Sequence, residues 1–404
     1  MGDLKKLFAV LGSVLAAIVL LAGVFSAGLM AGYKLQDEKQ AQLSRSYPSV
    51  EKVGEAIHLI KENYVEEVST QKLIEGAIKG VVEALNDPYT HYLSRKDFDQ
   101  FKETTTGKFE GVGMVVGANK DGQIAVVSPL EGTPADRAGI KAGDVILEID
   151  GKETKGMSVE DAVDRIRGKK GTKVQLTLAR KDAKEPIRVS LIREEINVPN
   201  VSSKVIDGKY GYIRIHNFNE QTDKDLRTHL ERAKNEGAKG IVLDLRNNPG
   251  GLLDEAVMVA SKFLDSGIVV KVKGRDGQVR TNPVRPDSDT DPKVPLVILV
   301  NHGSASASEI VAGAIQDYKR GVIVGEKTFG KASVQTIMNL TDGTGLLLTT
   351  DTYLTPNGRL IHKKGIDPDV AVKYDEKAMM DGKDAQLNKA KEVLQELIDG
   401  KRKP

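Results

Sequence analysis

The chain predicts a multidomain α/β (α+β) protein with an N-terminal transmembrane helix and flanking helical segments. Three observations lead there. At 404 residues and 40% hydrophobic content, the chain is long enough for two or three cored domains. Beyond residue 208, short apolar runs alternate with amphipathic stretches in the order strand, helix, strand, helix, the pattern of an α/β core. Residues 7–33 form an almost unbroken apolar run without a charge, long enough to cross a bilayer.

Composition excludes several functions. Lys and Arg number 59 against 57 Asp and Glu, a net charge of +2, which offers no field for nucleic acid. There are no cysteines, so disulfides, a thiol nucleophile and Cys-type zinc sites are ruled out. The six histidines are scattered and no HExxH occurs, so no metal site has local support. No cofactor is called for.

The apolar run follows Lys5 and Lys6, and this positive flank favours an inside N-terminus with the bulk of the chain outside the cytoplasm. The segment 1–33 is read as a retained single-pass anchor at the cell membrane, with a cleaved signal as the alternative. Residues 34–50 are a polar linker. The region 51–103 reads as helical, with Val53, Ile57, Ile60 and Tyr64 on one face and Leu73, Ala77, Val81 and Leu85 on another, stopped by Asn86-Asp87-Pro88.

Residues 104–193 form a second unit. Glu110 to Val116 and Gly122 to Val127 read as strands, the first containing two glycines. Val159, Ala162, Val163 and Ile166 line a helix, and residues 174–178 alternate as a strand. Residues 194–375 form the α/β body. Its strands are 208–218 and 240–246, its helices 222–236 and 253–264, and an Asn-Pro-Gly-Gly turn precedes the second helix. Residues 276–292 are polar and Pro-rich, a surface loop or hairpin arm. Residues 376–404 are a charged helical tail with the stripe Leu387, Ala390, Val393, Leu394 and Leu397.

The chemistry centres on residues 301–335. An apolar strand, 294–300, runs into a turn of small residues around Gly303, Ser304 and Ser306, and a helix-patterned stretch follows. A serine at such a strand-to-helix turn exposes its hydroxyl beside free N–H groups, the geometry of a nucleophile elbow. A second strand, 322–324, leads to Gly330-Lys331, so Ser306 and Lys331 are a candidate hydrolase dyad. The base must be neutral, which requires its pKa to fall from the ordinary value of about 10.4 through burial. A rival reading takes 325–331 as the GxxxxGK of a phosphate-binding loop. Ala332 then lacks the hydroxyl that would hold Mg²⁺, and 334–340 reads as a strand rather than a helix.

SASASEI followed by GEKTFGKASVQ resembles the carboxy-terminal processing proteases, the tail-specific, PDZ-containing serine peptidases of family S41. The resemblance covers residues 50–375. It implies Ser306 as nucleophile, Lys331 as base and Gln335 as support for the lysine. Ala332 stands where the family usually has glycine. It further implies an oxyanion hole formed by the N–H groups of Gly251 and Ala307, and a crotonase-like (ClpP/crotonase-type) serine protease core with an inserted PDZ domain. GDVILEIDGKE and the strand order of 104–193 resemble a PDZ domain. The loop Gly111, Val112, Gly113 and Met114 stands where that family binds a peptide's carboxylate. A sensor arginine is implied here too, either Arg167 or Arg165. The helical termini are expected to support a homodimer. The expected protein is a membrane-anchored, extracytoplasmic serine endopeptidase of bacterial type. Its expected partners are proteins or peptides with accessible C-terminal tails. A non-enzymatic PDZ scaffold at the membrane is the alternative.

Overall fold

A computed structural model describes residues 49–373 and 383–404. The expected anchor over 7–33 lies outside the described residues; among those that are described, no helix is long and apolar enough to cross a membrane. The chain divides into two compact units, residues 1–86 and 87–404.

The first unit contributes α1 (Glu51–Asn63) and α2 (Thr70–Glu83). Ser69 starts α2 by accepting a hydrogen bond from the Lys72 N–H at 3.2 Å, which satisfies one free N–H of the first turn. No residue of α1 is buried, and Val53, Leu59, Ile60, Ile74 and Val81 stand exposed on the two helices.

The second unit opens with a turn, at the Asn86-Asp87-Pro88 stop that the sequence marks for the second helix. The Asp87 carboxylate accepts from the Tyr89 N–H and the Thr90 hydroxyl, at 3.1 and 2.6 Å, which bends the backbone at Pro88. Then come β1 (His91–Leu93) and α3 (Arg95–Thr106). Ser94 and Asp97 cap α3 reciprocally, and Gly107, at φ 70°, ends it.

β2 (Lys108–Gly111) leads into a six-stranded antiparallel sheet. Its strands are β3 (Met114–Ala118), β4 (Ile124–Pro129), β5 (Val145–Ile149), β6 (Lys152–Glu153), β7 (Lys173–Ala179) and β8 (Ile187–Ile192), with α4 (Pro134–Arg137) and α5 (Val159–Ile166) between them. The order is β3-β4-β5-β7-β8, with β6 beside β5, so β3 is an edge. Alternate residues Val174, Leu176 and Leu178 of β7 point into a core with Ile146, Ile149 and Ile166. The exit strand β9 (Glu194–Asn197) pairs with β2, so entrance and exit are tied in one ribbon.

The body runs β10 (Val201–Ile206), β11 (Tyr210–Ile215), α6 (Thr222–Asn235), β12 (Gly240–Asp244), α7 (Leu253–Ser261), β13 (Ile268–Gly274), β14 (Val279–Pro283), β15 (Leu296–Val300), α8 (Ala307–Asp317), β16 (Val322–Gly325), β17 (Ser333–Asn339), β18 (Gly345–Leu354), β19 (Val370–Ala371) and α9 (Ala385–Ile398). One sheet has the order β10-β11-β12-β15-β16-β19 and is parallel from β11 onward. Every residue of β12 and β15 is buried, as continuous apolar runs in a sheet covered on both faces should be. Leu243, Ile298 and Ile323 face α7 and α8, whereas Val242, Val297 and Leu299 face α9. The second sheet is antiparallel, β1-β18-β13-β14 with β17 beside β18.

The polar stretch 276–292 contains β14, paired with β13, so of the two readings it is the hairpin arm. Two expectations change. α7 ends at Ser261 rather than 264, because Lys262 and Phe263 donate three residues back, to Val259 and Ala260, and tighten the last turn. The apolar stripe of α9 is covered by its own chain's sheet, with Ala390, Val393 and Leu394 fully buried, so it is not left open for a second copy. An Arg246 bridge to Asp384 at 2.8 Å, with Asp244 on the same guanidinium at 2.6 Å, fastens the start of that helix.

Candidate active site

The turn after β15 sorts three serines that look alike in the sequence. The Ser304 hydroxyl donates to the Leu245 carbonyl at 2.7 Å, and the Ser308 hydroxyl to that of Asn248 at 3.0 Å. Both are buried and serve the backbone of the neighbouring turn. Ser306 is the one facing the cleft, at φ 54° and ψ −114°, a conformation that ordinary residues avoid. Such backbone strain costs about 1–3 kcal/mol and persists only when its surroundings enforce it.

Glu309 supplies the enforcement. Its fully buried carboxylate accepts from the Ser306 N–H at 2.9 Å, the Thr328 hydroxyl at 2.5 Å, the Gly330 N–H at 2.8 Å and the Lys331 N–H at 2.9 Å. One side chain therefore clamps the serine elbow to the lysine loop. Burial pushes its pKa up, and the four donors oppose that shift. The Tyr353 hydroxyl, buried behind the site, bridges the Ser306 carbonyl at 3.0 Å and the Lys331 carbonyl at 2.8 Å. The spacing Ser-x-x-Glu from 306 to 309 is a capping signal that points to Glu309. Nothing local points to Tyr353, 47 residues from Ser306.

Lys331 and Ser306 line one cleft of about 330 Å³. The Lys331 amine donates to Gln335 Oε1 at 2.8 Å and lies over the Tyr89 ring, 4.6 Å from its centre. Gln335 Nε2 in turn donates to the Tyr89 carbonyl. A bulge in β17 between Val334 and Gln335 aims the glutamine here. The amine makes no hydrogen bond to the Ser306 hydroxyl in this arrangement. Burial lowers the Lys331 pKa, and the charge of Asp87 pulls it partway back.

Gly250 and Gly251 form the opposite wall. A Cβ on Gly250 would stand 2.8 Å from the Ala305 carbonyl, the Ala307 N and Ser306 Cβ. A Cβ on Gly251 would stand 2.1 Å from the Phe218 carbonyl oxygen, and its φ is 141°. Only glycine fits at either place. The Gly250 N–H is committed to Asn248 Oδ1 at 2.9 Å. The N–H groups of Gly251 and of Ala307, the first residue of α8, find no acceptor among the described residues, as the free N–H groups of a helix start do.

The phosphate-loop reading fails on the same geometry. The N–H groups of Gly330 and Lys331 that would cradle an anion are already held by the Glu309 carboxylate, and a strand follows.

Val112 and Gly113 link the last residue of β2, Gly111, to the first of β3, Met114. The Val112 side chain is buried in the sheet's core and contributes only backbone to the loop. Gly113, at φ 75°, has room for no side chain, since a Cβ would sit 2.3 Å from Thr133. β3 pairs with β4 alone, so its other edge is open beside α5. The structure separates the two arginines. Arg167 pairs with Glu103 at 2.5 Å and lies over Phe109, 5.0 Å from the ring centre. Arg165 contributes only its carbonyl, to Arg193. Glu103 belongs to α3, whose Phe101, Thr104 and Thr105 line the cleft.

Three family models match the chain: Peptidase family S41 over residues 209–372, PDZ domain over 100–179, and Activating protease CtpB N-terminal domain over 23–97. The chain is 40% identical over 347 residues to the carboxy-terminal processing protease CtpA of Bacillus subtilis, covering 86% of this chain and 74% of that protein. It is 39% identical over 366 residues to a probable CtpA-like serine protease of Staphylococcus aureus, covering 89% and 72%. Among solved structures, the photosystem II D1 C-terminal processing protease is similar at 32% identity and a TM-score of 0.47, covering 80% of this chain and 92% of that one.

Proposed function

This chain belongs to peptidase family S41 and is a carboxy-terminal processing serine peptidase with a PDZ domain, and from that premise we propose that Ser306 and Lys331 are its catalytic pair. The reading is carried by one observation: a strained, half-buried serine and a half-buried lysine line the same cleft beside two free backbone N–H groups. The core is read as crotonase-like, in keeping with its sheet of buried parallel strands.

In the proposed mechanism the neutral Lys331 amine turns from Gln335 to the Ser306 hydroxyl. Ser306 Oγ bonds to the substrate carbonyl carbon while its proton passes to Lys331. The Gly251 and Ala307 N–H groups face the oxygen on which negative charge develops. Lys331 then returns the proton to the leaving amine as the C–N bond breaks. Water, deprotonated by the same amine, releases the acyl group from Ser306. Phe101, Leu252, Leu253, Ile310, Val334 and Leu347 make the cleft apolar, which suits an apolar substrate side chain next to the scissile bond. The test is reaction with a serine-directed phosphonofluoridate and mapping of the adduct. An adduct on Ser306, absent from Ser306→Ala, is expected. Full cleavage of an unstructured protein by Ser306→Ala would refute the assignment.

The PDZ domain reads substrate or partner tails at residues 111–114 in this proposal. The open edge of β3 supports it, because a peptide can add to it as a further strand. Gly113→Val, which forces a side chain into Thr133, is expected to lower kcat/KM about tenfold for a substrate with a free apolar tail, the equivalent of about 1.4 kcal/mol of tail binding. A tail-less substrate should be cleaved at the wild-type rate. Equal losses on both would remove the tail-reading role. The Arg167–Glu103 pair couples this domain to the helix beside the cleft.

The protein is further proposed to be anchored through residues 7–33, with catalysis outside the cytoplasm, on the strength of the apolar run and its Lys5-Lys6 flank. Resistance of the folded domain to external protease in intact spheroplasts would contradict that orientation. The exposed apolar residues of α1 and α2 support a homodimer through the N-terminal helices. Sedimentation of the detergent-solubilised full chain as a monomer at micromolar concentration would exclude it. The family leaves the scaffold reading without support.

A further inference from the structure

We infer that Tyr89 is a positioning residue for the catalytic amine: its ring parks the charged form of Lys331 away from Ser306, and its carbonyl fixes the glutamine that receives the amine. This rests on the Ser306–Lys331 reading above.

The parking place is built, not incidental. Tyr89 sits in the Asp87–Thr90 turn, whose Asp87 carboxylate holds the Tyr89 N–H and the Thr90 hydroxyl. The Thr90 hydroxyl accepts from the Thr349 N–H at 3.1 Å, and Thr349 is the cross-strand partner of Gln335. The turn is thus locked to the same strand pair that carries Gln335. Two features of Tyr89 then converge on one amine. The ring face lies 4.6 Å below Nζ, and the carbonyl accepts from Gln335 Nε2, which leaves Gln335 Oε1 aimed at Nζ at 2.8 Å.

The chemistry distinguishes the two protonation states. An aromatic face attracts an ammonium ion and has little hold on a neutral amine. Gln335 Oε1 accepts from either form. The ring therefore adds stability to the charged, parked state alone. The neutral amine, which the reaction needs, is released to turn toward Ser306. Among neighbouring charges, Asp87 in the same turn also favours the ammonium. Glu309, on α8, is bonded to backbone N–H groups including that of Lys331 itself, and Tyr353, from β18, to the Lys331 carbonyl. Burial works the other way and lowers the Lys331 pKa. Tyr89 thus raises the pH at which the amine becomes a base. Removing its ring lowers that pH.

The experiment compares Tyr89→Leu and Tyr89→Phe in the full chain, reading kcat/KM against pH. The acid-limb midpoint is expected to fall by roughly 0.5–1 pH unit in Tyr89→Leu and to stay in place in Tyr89→Phe. Replacement of Tyr89 by pentafluorophenylalanine keeps the ring's volume and reverses its facial charge, so it should move the midpoint in the same direction as Tyr89→Leu even if leucine disturbs the turn. A second readout does not need activity. In a Ser306→Ala background, acetylation of the Lys331 amine is followed against pH by mass spectrometry, and its midpoint should shift equally. Rates that change while both midpoints remain at the wild-type value would overturn the proposal and leave Tyr89 as packing. Retained cleavage by Lys331→Met would sink the dyad instead, whatever the acetylation midpoint does.

Discussion

Ser306→Ala is expected to lower kcat by about 10⁴–10⁶-fold while KM stays within about threefold, and Lys331→Met to lower it by a similar factor. The double variant should be no slower than the worse of the two. In the proposed mechanism the two residues act on one proton: without the base the hydroxyl is a poor nucleophile, and without the hydroxyl the base has nothing to activate. Effects that multiply in the double variant would mean that Lys331 supports the site in some way other than as the base for Ser306. The pH profile carries the same logic. Burial holds the Lys331 pKa below that of free lysine, with Asp87 opposing. The neutral fraction therefore grows as pH rises through that lowered value, and activity should rise with it. A profile flat from about pH 6 to 9 with unchanged substrate binding would count against a titrating lysine.

The second large effect is expected at Glu309. Its four partners are all donors, and three of them are backbone N–H groups of the serine elbow and the lysine loop. Glu309→Ala leaves these buried donors without an acceptor, at about 1–3 kcal/mol for each one that finds no water. A total loss of about 3–5 kcal/mol should be visible as a fall in Tm of at least about 6 °C. Glu309→Gln separates stability from function. The carboxyl's pKa is raised by burial above its ordinary value. A carboxyl that is harder to ionise in the folded state costs stability once pH exceeds that raised value, so removing the charge returns part of what the broken bonds lose. The amide nevertheless points N–H groups at N–H groups. The strained φ of 54° at Ser306 then relaxes, and kcat should fall about 10²-fold with a smaller change in Tm. If kcat of Glu309→Gln stays within threefold of wild type, the clamp does not position the nucleophile.

Much of this site was legible in the linear chain because it is local. A strand running into small residues predicts an elbow, and an Asn-Pro-Gly-Gly turn predicts close backbone approach; Gly250 and Gly251 tolerate no Cβ where they stand. The resemblance to family S41 selected Ser306 from SASAS, and the hydroxyl partners of Ser304 and Ser308 give the physical reason for that choice. The stop at Asn86-Asp87-Pro88 was legible, but β1 was missed, because three residues are too few to show an alternation against the helical spacing on either side.

The sequence by itself determined the order of most strands and helices and offered a serine at an elbow with a lysine after the next strand, since these follow from periodicity and spacing within a few residues; the division into binding module and catalytic body, and the choice of Ser306, came from the resemblance its motifs carry. Only the tertiary structure decided which arginine meets Glu103, what covers the stripe of α9, and that the lysine amine rests on Tyr89 and Gln335 rather than on Ser306. Those outcomes depend on contacts between segments far apart in the chain, 246 residues in the case of Gln335 and Tyr89. Burial and the sign of neighbouring charges are properties of that assembled neighbourhood, and no local spacing encodes them.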